Sequence, residues 1–264
     1  MKPTNPFPPS FSPMLAYNKA WTWNQIRLPV WISIKVDGIR FLVAGGKVYS
    51  KQLKLIPNQY IQYLIPSLVD NGVEGELYLE GANKFHDTQS IVMSEEKRGQ
   101  ENIKFCLFDR FDSDKDRDYH SRYYSLHPSY RVCQHSFVDH ANAIAHTKQE
   151  HEGEGFIVRS LDGLYKHGRC TLREQNVFKL IQWQREEGIC MGVTENSQHN
   201  ERIGALVIET KRWGRIEVGS GFSHAQSIEW REKCPTRKNV TFKYKSFGTK
   251  NKPRQPIFVG VRYD

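Results

Sequence analysis

Three charged side chains interrupt an apolar stretch near the N-terminus, in the segment WISIKVDGIRFLV at residues 31–43. Lys35, Asp37 and Arg40 surround one Asp-Gly pair, and the aromatic and β-branched residues on either side favour β-strands. Because glycine accepts positive φ, Asp-Gly predicts a hairpin that brings Arg40 opposite Lys35. A lysine held at such a turn could be a nucleophile. The simpler interpretation is a surface hairpin with solvated charges.

Further charged and aromatic residues interrupt apolar runs downstream. They are Glu74 and Glu76 in VEGELYL, Phe105, Phe108 and Phe111 in FCLFDRF, Glu154 and Arg159 in EGFIVR, and Lys179 in NVFKLI. Glu74 and Glu76 are two residues apart and so share one face of a strand. Taken singly, each position is typical of a paired edge residue or a core aromatic. Their order along the chain is the more specific signal.

The elements that must hold these residues mix strands and helices. Apolar and β-branched runs predict strands at 30–34, 40–44, 73–79, 104–109 and 155–159. Apolar residues at helical spacing predict helices over 57–68 and around 136–149. The run DRFDSDKDRDYHSR at 109–122 is interpreted as a solvated, charged loop. The proline-rich N-terminus is expected to lie over the fold as an extended segment.

The C-terminal part changes character. Strand-like runs occur at 189–195, 204–211, 213–219, 239–246 and 255–263, and Ser223 is a suitable N-cap for a helix after the third run. Five short strands with a helix after the third are typical of an OB-fold barrel. We therefore predict two domains, 1–184 and 185–264.

Charge and composition narrow the class of protein. The 264-residue chain carries a net charge of +9, and residues 231–254 hold nine basic side chains and one acidic one. Such a basic face favours binding to a polyanion by counterion release. No apolar run is long enough for a membrane span or a signal-peptide core, so we expect a protein that stays in the cytoplasm and binds no membrane. The five cysteines contain no C-x-x-C pair, which favours reduced thiols over a structural zinc site.

The motif order resembles that of the ATP-dependent DNA ligases. K-x-D-G-x-R is followed by a Glu-Gly-Glu-Leu strand, a Phe-Asp strand, E-G-x-x-V-R, a lysine in an apolar strand and a basic β-rich tail. The resemblance runs from PMLA at 13–16 to PRQPIFVGVRYD at the C-terminus, and the chain looks most like the minimal viral or bacteriophage type. It implies an α+β nucleotidyltransferase (adenylation) domain with antiparallel sheets and helices, followed by a small all-β OB-fold barrel.

The same resemblance implies a role for each motif residue. Lys35 would be the nucleophile that takes AMP from ATP, with Lys179 neutralising the α-phosphate as a second catalytic residue. A neighbouring cation would also lower the pKa of Lys35. Glu76 and Glu154 would bind Mg²⁺ or Mn²⁺. Nucleotide-binding residues would be Ile34, Arg40, Lys51, Glu76, Phe108 (stacked on adenine), Arg159, Lys179 and Arg262, with Asp264 beside Arg262 in the last motif.

Three positions depart from the family pattern. Lys51 stands where arginine is common, which keeps the charge but loses bidentate phosphate geometry. Ile181 replaces the second of two lysines in the strand around Lys179, and the last motif stops at Asp264. These departures bear on the efficiency of self-adenylylation more than on the fold.

The resemblance implies sealing of nicked duplex DNA by a monomer, in DNA repair or replication, in a bacterial or phage-infected cell. Two related enzymes are alternatives, an RNA ligase and an mRNA-capping type of nucleotidyltransferase. Offering GTP against ATP would separate the capping type from a ligase. From another class comes a catalytically impaired protein that binds nicks without sealing them. Ile181 is the residue that favours this last alternative.

Overall fold

The computed structural model describes residues 6–81, 84–112, 116–149, 154–245 and 252–262. The chain divides into two compact units, Met1–Ile181 and Gln182–Asp264. No helix in the described ranges is long and apolar enough to cross a membrane. All five cysteines are free thiols.

The first unit contains two antiparallel four-stranded sheets and four helices. Its strands are β1 (Val30–Ile34), β2 (Ile39–Ala44), β3 (Lys47–Ser50), β4 (Val73–Tyr78), β5 (Lys104–Arg110), β6 (Gln134–Phe137), β7 (Gly155–Ser160) and β8 (Val177–Ile181); its helices are α1 (Gln59–Leu68), α2 (Phe85–Val92), α3 (Tyr119–Tyr124) and α4 (His140–His146). The sheets have the strand orders β6-β1-β7-β8 and β3-β2-β4-β5. The α+β class with antiparallel sheets is confirmed.

The hairpin predicted at Asp37-Gly38 is wrong. β1 pairs with β6 and β7, whereas β2 pairs with β3 and β4, so the segment between them passes from one sheet to the other. Gly38 is not among the glycines with positive φ. Its lack of a side chain matters for space instead, because a Cβ there would lie 2.2 Å from the carbonyl oxygen of Leu77.

Two other expectations for this unit need correction. The helix predicted around 136–149 is shorter, because residues up to Phe137 belong to β6 and α4 spans only His140–His146, capped by Asp139. The run 109–122 is not a solvated loop: β5 extends to Arg110, α3 begins at Tyr119, and both Asp109 and Arg122 are buried.

The main core of the first unit lies between the β3-β2-β4-β5 sheet and helices α1 and α2. Phe41, Leu77 and Leu107 from the strands pack there with Ile61 and Ile65 of α1. The helix begins at Gln59, two residues after the predicted start at 57, and the Asn58 side chain caps it by accepting a hydrogen bond from the Ile61 N–H at 3.0 Å. This packing fixes the sheet from which several candidate site residues project.

The second unit is a five-stranded antiparallel sheet with one short helix. It comprises β9 (Gln184–Glu195), β10 (Ile203–Thr210), β11 (Gly214–Val218), α5 (His224–Glu229), β12 (Asn239–Tyr244) and β13 (Ile257–Val261), with strand order β11-β10-β9-β12-β13. Ser223 caps α5 as predicted, in a capping box with Gln226. β9 begins five residues earlier than predicted, within the segment QWQREEG.

The predicted barrel is not closed by a strand ladder in the described part of this unit. β11 and β13 are the two edges of the sheet. They approach one another after β11, where the Phe258 N–H donates a hydrogen bond of 2.8 Å to the carbonyl of Ser220. Gly221 permits the approach, because a Cβ there would lie 2.4 Å from the Phe258 carbonyl oxygen. The all-β architecture with one helix after the third strand is as expected.

Candidate nucleotide-binding site

A cavity of about 260 Å³ opens in the first unit between its two sheets. Most of the residues singled out from the sequence line it. The lining consists of Met14, Leu15, Ala16, Ser33, Ile34, Lys35, Val36, Arg40, Lys51, Glu74, Glu76, Cys106, Phe108, Val132, Ile157, Arg159, Arg169, Val177 and Lys179. The lining combines apolar and aromatic side chains with several cations, a combination that suits a nucleotide with an apolar base and anionic phosphates.

Lys35 follows β1 directly, and the start of β7 fixes its backbone. The Lys35 N–H donates to the carbonyl of Gly155 at 2.8 Å, and the Glu154 N–H donates to the carbonyl of Lys35 at 3.0 Å. The side chains meet as well, because Nζ of Lys35 donates to Oε2 of Glu154 in an ion pair. The positions of the candidate nucleophile and of this carboxylate therefore depend on each other.

Glu76 of β4 is the second carboxylate near Lys35. Burial is the main reason that its pKa is raised from the usual range to about 7, and the charges of Glu154 and Asp37 raise it further. Lys35 and Arg40 act in the opposite direction. A buried carboxylate whose pKa is raised in this way is stabilised by a neighbouring cation. Glu76 and Glu154 together offer carboxylate oxygens, the ligand type that a hard divalent ion prefers.

Arg40 of β2 is held in place by Glu74, a residue singled out from the sequence without a role. Nε and Nη2 of Arg40 donate to Oε2 of Glu74 at 3.2 and 2.5 Å, and Nη1 donates to the carbonyl of Met14 at 2.7 Å. Burial raises the pKa of the Glu74 carboxyl against the opposing charge of Arg40. The guanidinium group also lies over the ring of Phe108, 5.2 Å from its centroid.

Phe108 reaches the cavity because of an irregularity in β5. Glu74 pairs with Asp109 but Gly75 pairs with Leu107, so Phe108 is the extra residue of a β-bulge, a feature that re-aims a side chain. The neighbouring aromatics point elsewhere: Phe105 packs against Tyr130, and Phe111 contacts the ring of Phe11. Of the three phenylalanines in FCLFDRF, the bulged one faces the site.

Positive charge surrounds the rest of the cavity. Lys51, Arg159 and Lys179 were expected there from the sequence, and Arg169 was missed. Burial lowers the pKa of Lys51, helped by the charges of Arg40 and Arg169. Arg169 lies beside the N-terminal segment, where its Nη1 donates to the carbonyl of Ala16 at 2.8 Å. Its sequence context, YKHGRC, shows neither the alternation nor the apolar flanks that drew attention to the other residues.

The N-terminal segment forms one wall of the cavity, as an extended stretch laid against the fold. Leu15 and Tyr17 make parallel bridges to Arg169 and Phe178. Trp21 then returns to β8, where its indole N–H donates to the carbonyl of Lys179 at 3.1 Å. Exposed apolar surface remains at Ile34, which is 40% exposed.

The remaining candidate belongs to the second unit. Arg262 follows β13, its N–H donates to the carbonyl of Asn239 at 2.8 Å, and its Nη1 donates to Oε1 of Glu187 at 2.5 Å. Asp264, expected to act with it, lies outside the described residues.

Comparison with known proteins found similarity to DNA ligases. Residues 196–262 match the family model of the DNA ligase OB-like domain. The comparison with curated proteins gave no match.

Solved structures match over nearly the whole chain. A Chlorella virus DNA ligase-adenylate is 27% identical with a TM-score of 0.58, covering 96% of this chain and 99% of its own. A LigE DNA ligase, described as binding DNA with a minimal scaffold, is 22% identical with a TM-score of 0.75, covering 95% and 99%. The ATP-dependent DNA ligase of bacteriophage T7, in complex with ATP, is 14% identical with a TM-score of 0.52, covering 95% and 98%, and shares the fold. The chain therefore carries a DNA ligase OB-like domain at residues 196–262 and is similar over nearly its whole length to solved DNA ligases of minimal size.

Proposed function

We propose that this protein seals nicks in duplex DNA at the expense of ATP, through a lysyl-AMP intermediate on Lys35. The observation that carries the proposal is the convergence of Lys35, Glu76, Phe108 and Lys179 on one cavity. These residues lie far apart in the sequence, and they are the groups that nucleotidyl transfer to a lysine requires.

ATP binding divides between the two surfaces of the cavity. Phe108 offers its ring to the adenine, a stacking contact of about 1–3 kcal/mol. Lys51, Arg169 and Lys179 present positive charge to the triphosphate, where it would offset the charge that develops at the α-phosphate during transfer. Because β8 has Ile181 two residues after Lys179, it offers one lysine to the phosphates, and Lys51 and Arg169 would supply more of the positive charge.

The carboxylates fit a divalent metal ion. Glu76 and Glu154 are close enough for the charge of one to raise the pKa of the other. Mg²⁺ takes few carboxylates and completes its shell with phosphate and water, so two carboxylates beside a bound triphosphate would be enough to hold it. Bound there, Mg²⁺ would neutralise phosphate charge.

In the first step the neutral amine of Lys35 attacks the α-phosphorus of ATP. An N–P bond forms, the bond from the α-phosphorus to the β-phosphate oxygen breaks, and pyrophosphate leaves with the electron pair. The nitrogen releases one proton to solvent as the N–P bond forms, and Glu154 accepts a hydrogen bond from the same Nζ. Glu154 thus holds the nucleophile in place before the reaction.

In the later steps AMP moves from Lys35 to the 5′-phosphate at a nick, and the 3′-hydroxyl then displaces AMP. The basic second unit suits the DNA partner, with Arg231, Lys233, Arg237 and Lys238 all exposed. We propose that the protein binds nicked duplex DNA as a monomer.

Sealing of a singly nicked duplex tests the proposal. The purified protein is incubated with ATP and Mg²⁺, with GTP in place of ATP, and with ATP plus a chelator. We expect a sealed strand in the first reaction alone. Sealing with GTP would favour the capping type of enzyme, and a preference for RNA strands would favour an RNA ligase. Binding without sealing of a pre-adenylylated nick would identify a nick-binding protein.

A further inference from the structure

Arg122 is a buried arginine that the proposed chemistry does not use. It lies in α3 with 1% of its side chain exposed. Nε and Nη2 donate to the two carboxylate oxygens of Asp109 at 2.8 and 3.3 Å, and Nη1 donates to the carbonyls of Arg117 and Gly163 at 2.7 and 2.9 Å. An arginine buried in this way is costly unless its whole fork is used.

Asp109 carries the connection towards the cavity. Its carboxylate is fully buried and receives a second guanidinium, because Nη1 of Arg159 donates to Oδ2 at 3.2 Å. Arg159 lines the cavity and lies 5.4 Å from the ring centroid of Phe108. Three contacts, through Asp109 and Arg159, therefore lead from Arg122, which does not line the cavity, to the aromatic ring proposed to stack on adenine.

A second residue of α3 contacts the main chain of Phe108. The hydroxyl of Tyr119 lies within hydrogen-bond distance of two acceptors, the main-chain carbonyl of Phe108 at 3.2 Å and Oε1 of Gln134 at 3.1 Å, and can donate its one proton to either. The ring of Tyr119 also lies under the guanidinium of Arg159, 4.8 Å from centroid to Cζ. As the bulged residue of β5, Phe108 lacks a ladder partner opposite it on β4. The hydroxyl of Tyr119 holds the bulge from outside the sheet.

We propose that Arg122 and Tyr119 of α3 are positioning residues for the adenine side of the ATP site, acting through Asp109, Arg159 and the carbonyl of Phe108. The inference rests on the proposed function and adds to it an element outside the sequence motifs. The side chains of α3 contact the main chain of Phe108 and the guanidinium of Arg159, whereas Lys35 and Glu154 are held by their own main-chain hydrogen bonds beside β1 and β7, and Lys179 lies in β8. Perturbing α3 should therefore weaken ATP binding and leave the chemical step nearly intact.

Self-adenylylation at varied ATP concentration separates these two effects. Arg122→Lys keeps the charge but loses the fork, and Tyr119→Phe removes one hydroxyl. The matched control is Ile61→Ala, which opens the core under α1 and lowers stability without touching this network. Melting temperatures of all variants are measured alongside. We expect Arg122→Lys to raise the half-saturating ATP concentration about tenfold and Tyr119→Phe about threefold, with the maximal rate changed less than about threefold in each.

The Ile61→Ala control separates a loss of stability from a loss of ATP binding. Ile61→Ala should lower the melting temperature while keeping the wild-type half-saturation. An unchanged half-saturation in both α3 variants, an equal rise in Ile61→Ala, or a loss confined to the maximal rate would overturn the positioning role. Should Arg122→Lys fail to fold, Tyr119→Phe decides by the same criterion. A wild-type protein that forms no adduct would instead contradict the proposed function, and it is assayed first.

Discussion

At the scale of single residues, the site buries charged side chains whose ionised forms reduce the stability of the fold. Glu76 is the clearest case, because its pKa of about 7 means that the fold raises the free energy of the ionised carboxylate. Functional sites commonly carry such a cost in stability. In this protein the cost is consistent with a carboxylate kept ready for a cation.

Glu76→Gln tests this directly through the pH dependence of stability. A carboxyl whose pKa is higher folded than unfolded contributes fully at low pH, and that contribution is lost as pH rises from about 4.5 through about 7. The glutamine variant has no such loss. We expect it to be more stable than the wild type at pH 8, by at most about 3 kcal/mol, with the gap closing near pH 4.5. Thermal unfolding across this pH range, without nucleotide or metal, measures the stability difference between the two proteins. A difference that does not change with pH would refute the raised pKa of Glu76.

Phe108→Leu should weaken ATP binding, because leucine keeps apolar volume but offers no ring for stacking. At about 1–3 kcal/mol per stacked base, the half-saturating ATP concentration should rise roughly 5- to 150-fold. The matched control is Phe111→Leu in the same segment, where the ring packs against Phe7 and Phe11. Equal ATP saturation curves for the two variants would show that the bulged phenylalanine is not the stacking residue.

At the scale of elements, sequence patterns located five strands of the first unit well, missed β3 and β6, and predicted the pairing of strands poorly. β1 and β2 were predicted within a residue, yet the hairpin between them does not exist, since Asp-Gly signals a local reversal and pairing is decided by distant strands. The buried role of Arg122 was missed for the same reason. Its partners Asp109 and Gly163 are distant in sequence, and surrounding charges made the segment look solvated.

Gly38→Ala measures how tightly the crossing between the sheets is packed. The new Cβ would lie 2.2 Å from the Leu77 carbonyl oxygen, so either the crossing or β4 must move. We expect a loss of stability of about 1–3 kcal/mol and slower self-adenylylation, because Lys35 precedes the displaced segment. Gly260→Ala is the control: nothing lies within 4 Å of its Cβ position, and it should stay within about 0.5 kcal/mol of wild type. Equal stability of the two variants would contradict this packing.

At the scale of the whole molecule, the order of motifs predicted more than any single pattern. Lys35, Glu76, Phe108 and Lys179 were singled out from four segments, and the fold brings all four to one cavity. The two compact units divide at Ile181–Gln182, and the domain boundary at 184/185 stays a prediction. The sequence could not predict whether the barrel closes, because closure depends on how the edge strands β11 and β13 approach each other.

The charge distribution predicts strongly salt-dependent DNA binding. Each phosphate neutralised by a lysine or arginine releases counterions, so the logarithm of affinity should fall linearly with the logarithm of salt concentration. Neutralising Arg237 and Lys238 together, as Arg237→Gln and Lys238→Gln, should weaken binding and reduce the slope by about one for each phosphate that the variant no longer neutralises. Fluorescence anisotropy with a nicked duplex measures this, with the exposed Lys47→Gln in the first unit as control. A slope unchanged in the double variant would place the DNA-binding surface elsewhere.

The most direct measurement is to incubate the protein with ATP and Mg²⁺ and to map the adduct by mass spectrometry. We predict one AMP per chain, bound to the side chain of Lys35 through an acid-labile N–P bond and released by pyrophosphate. Lys35→Ala should carry none, and Lys47→Ala, at an exposed lysine in β3, should label like the wild type. AMP on another residue, or equal labelling of the Lys35→Ala protein, would contradict the account at its centre.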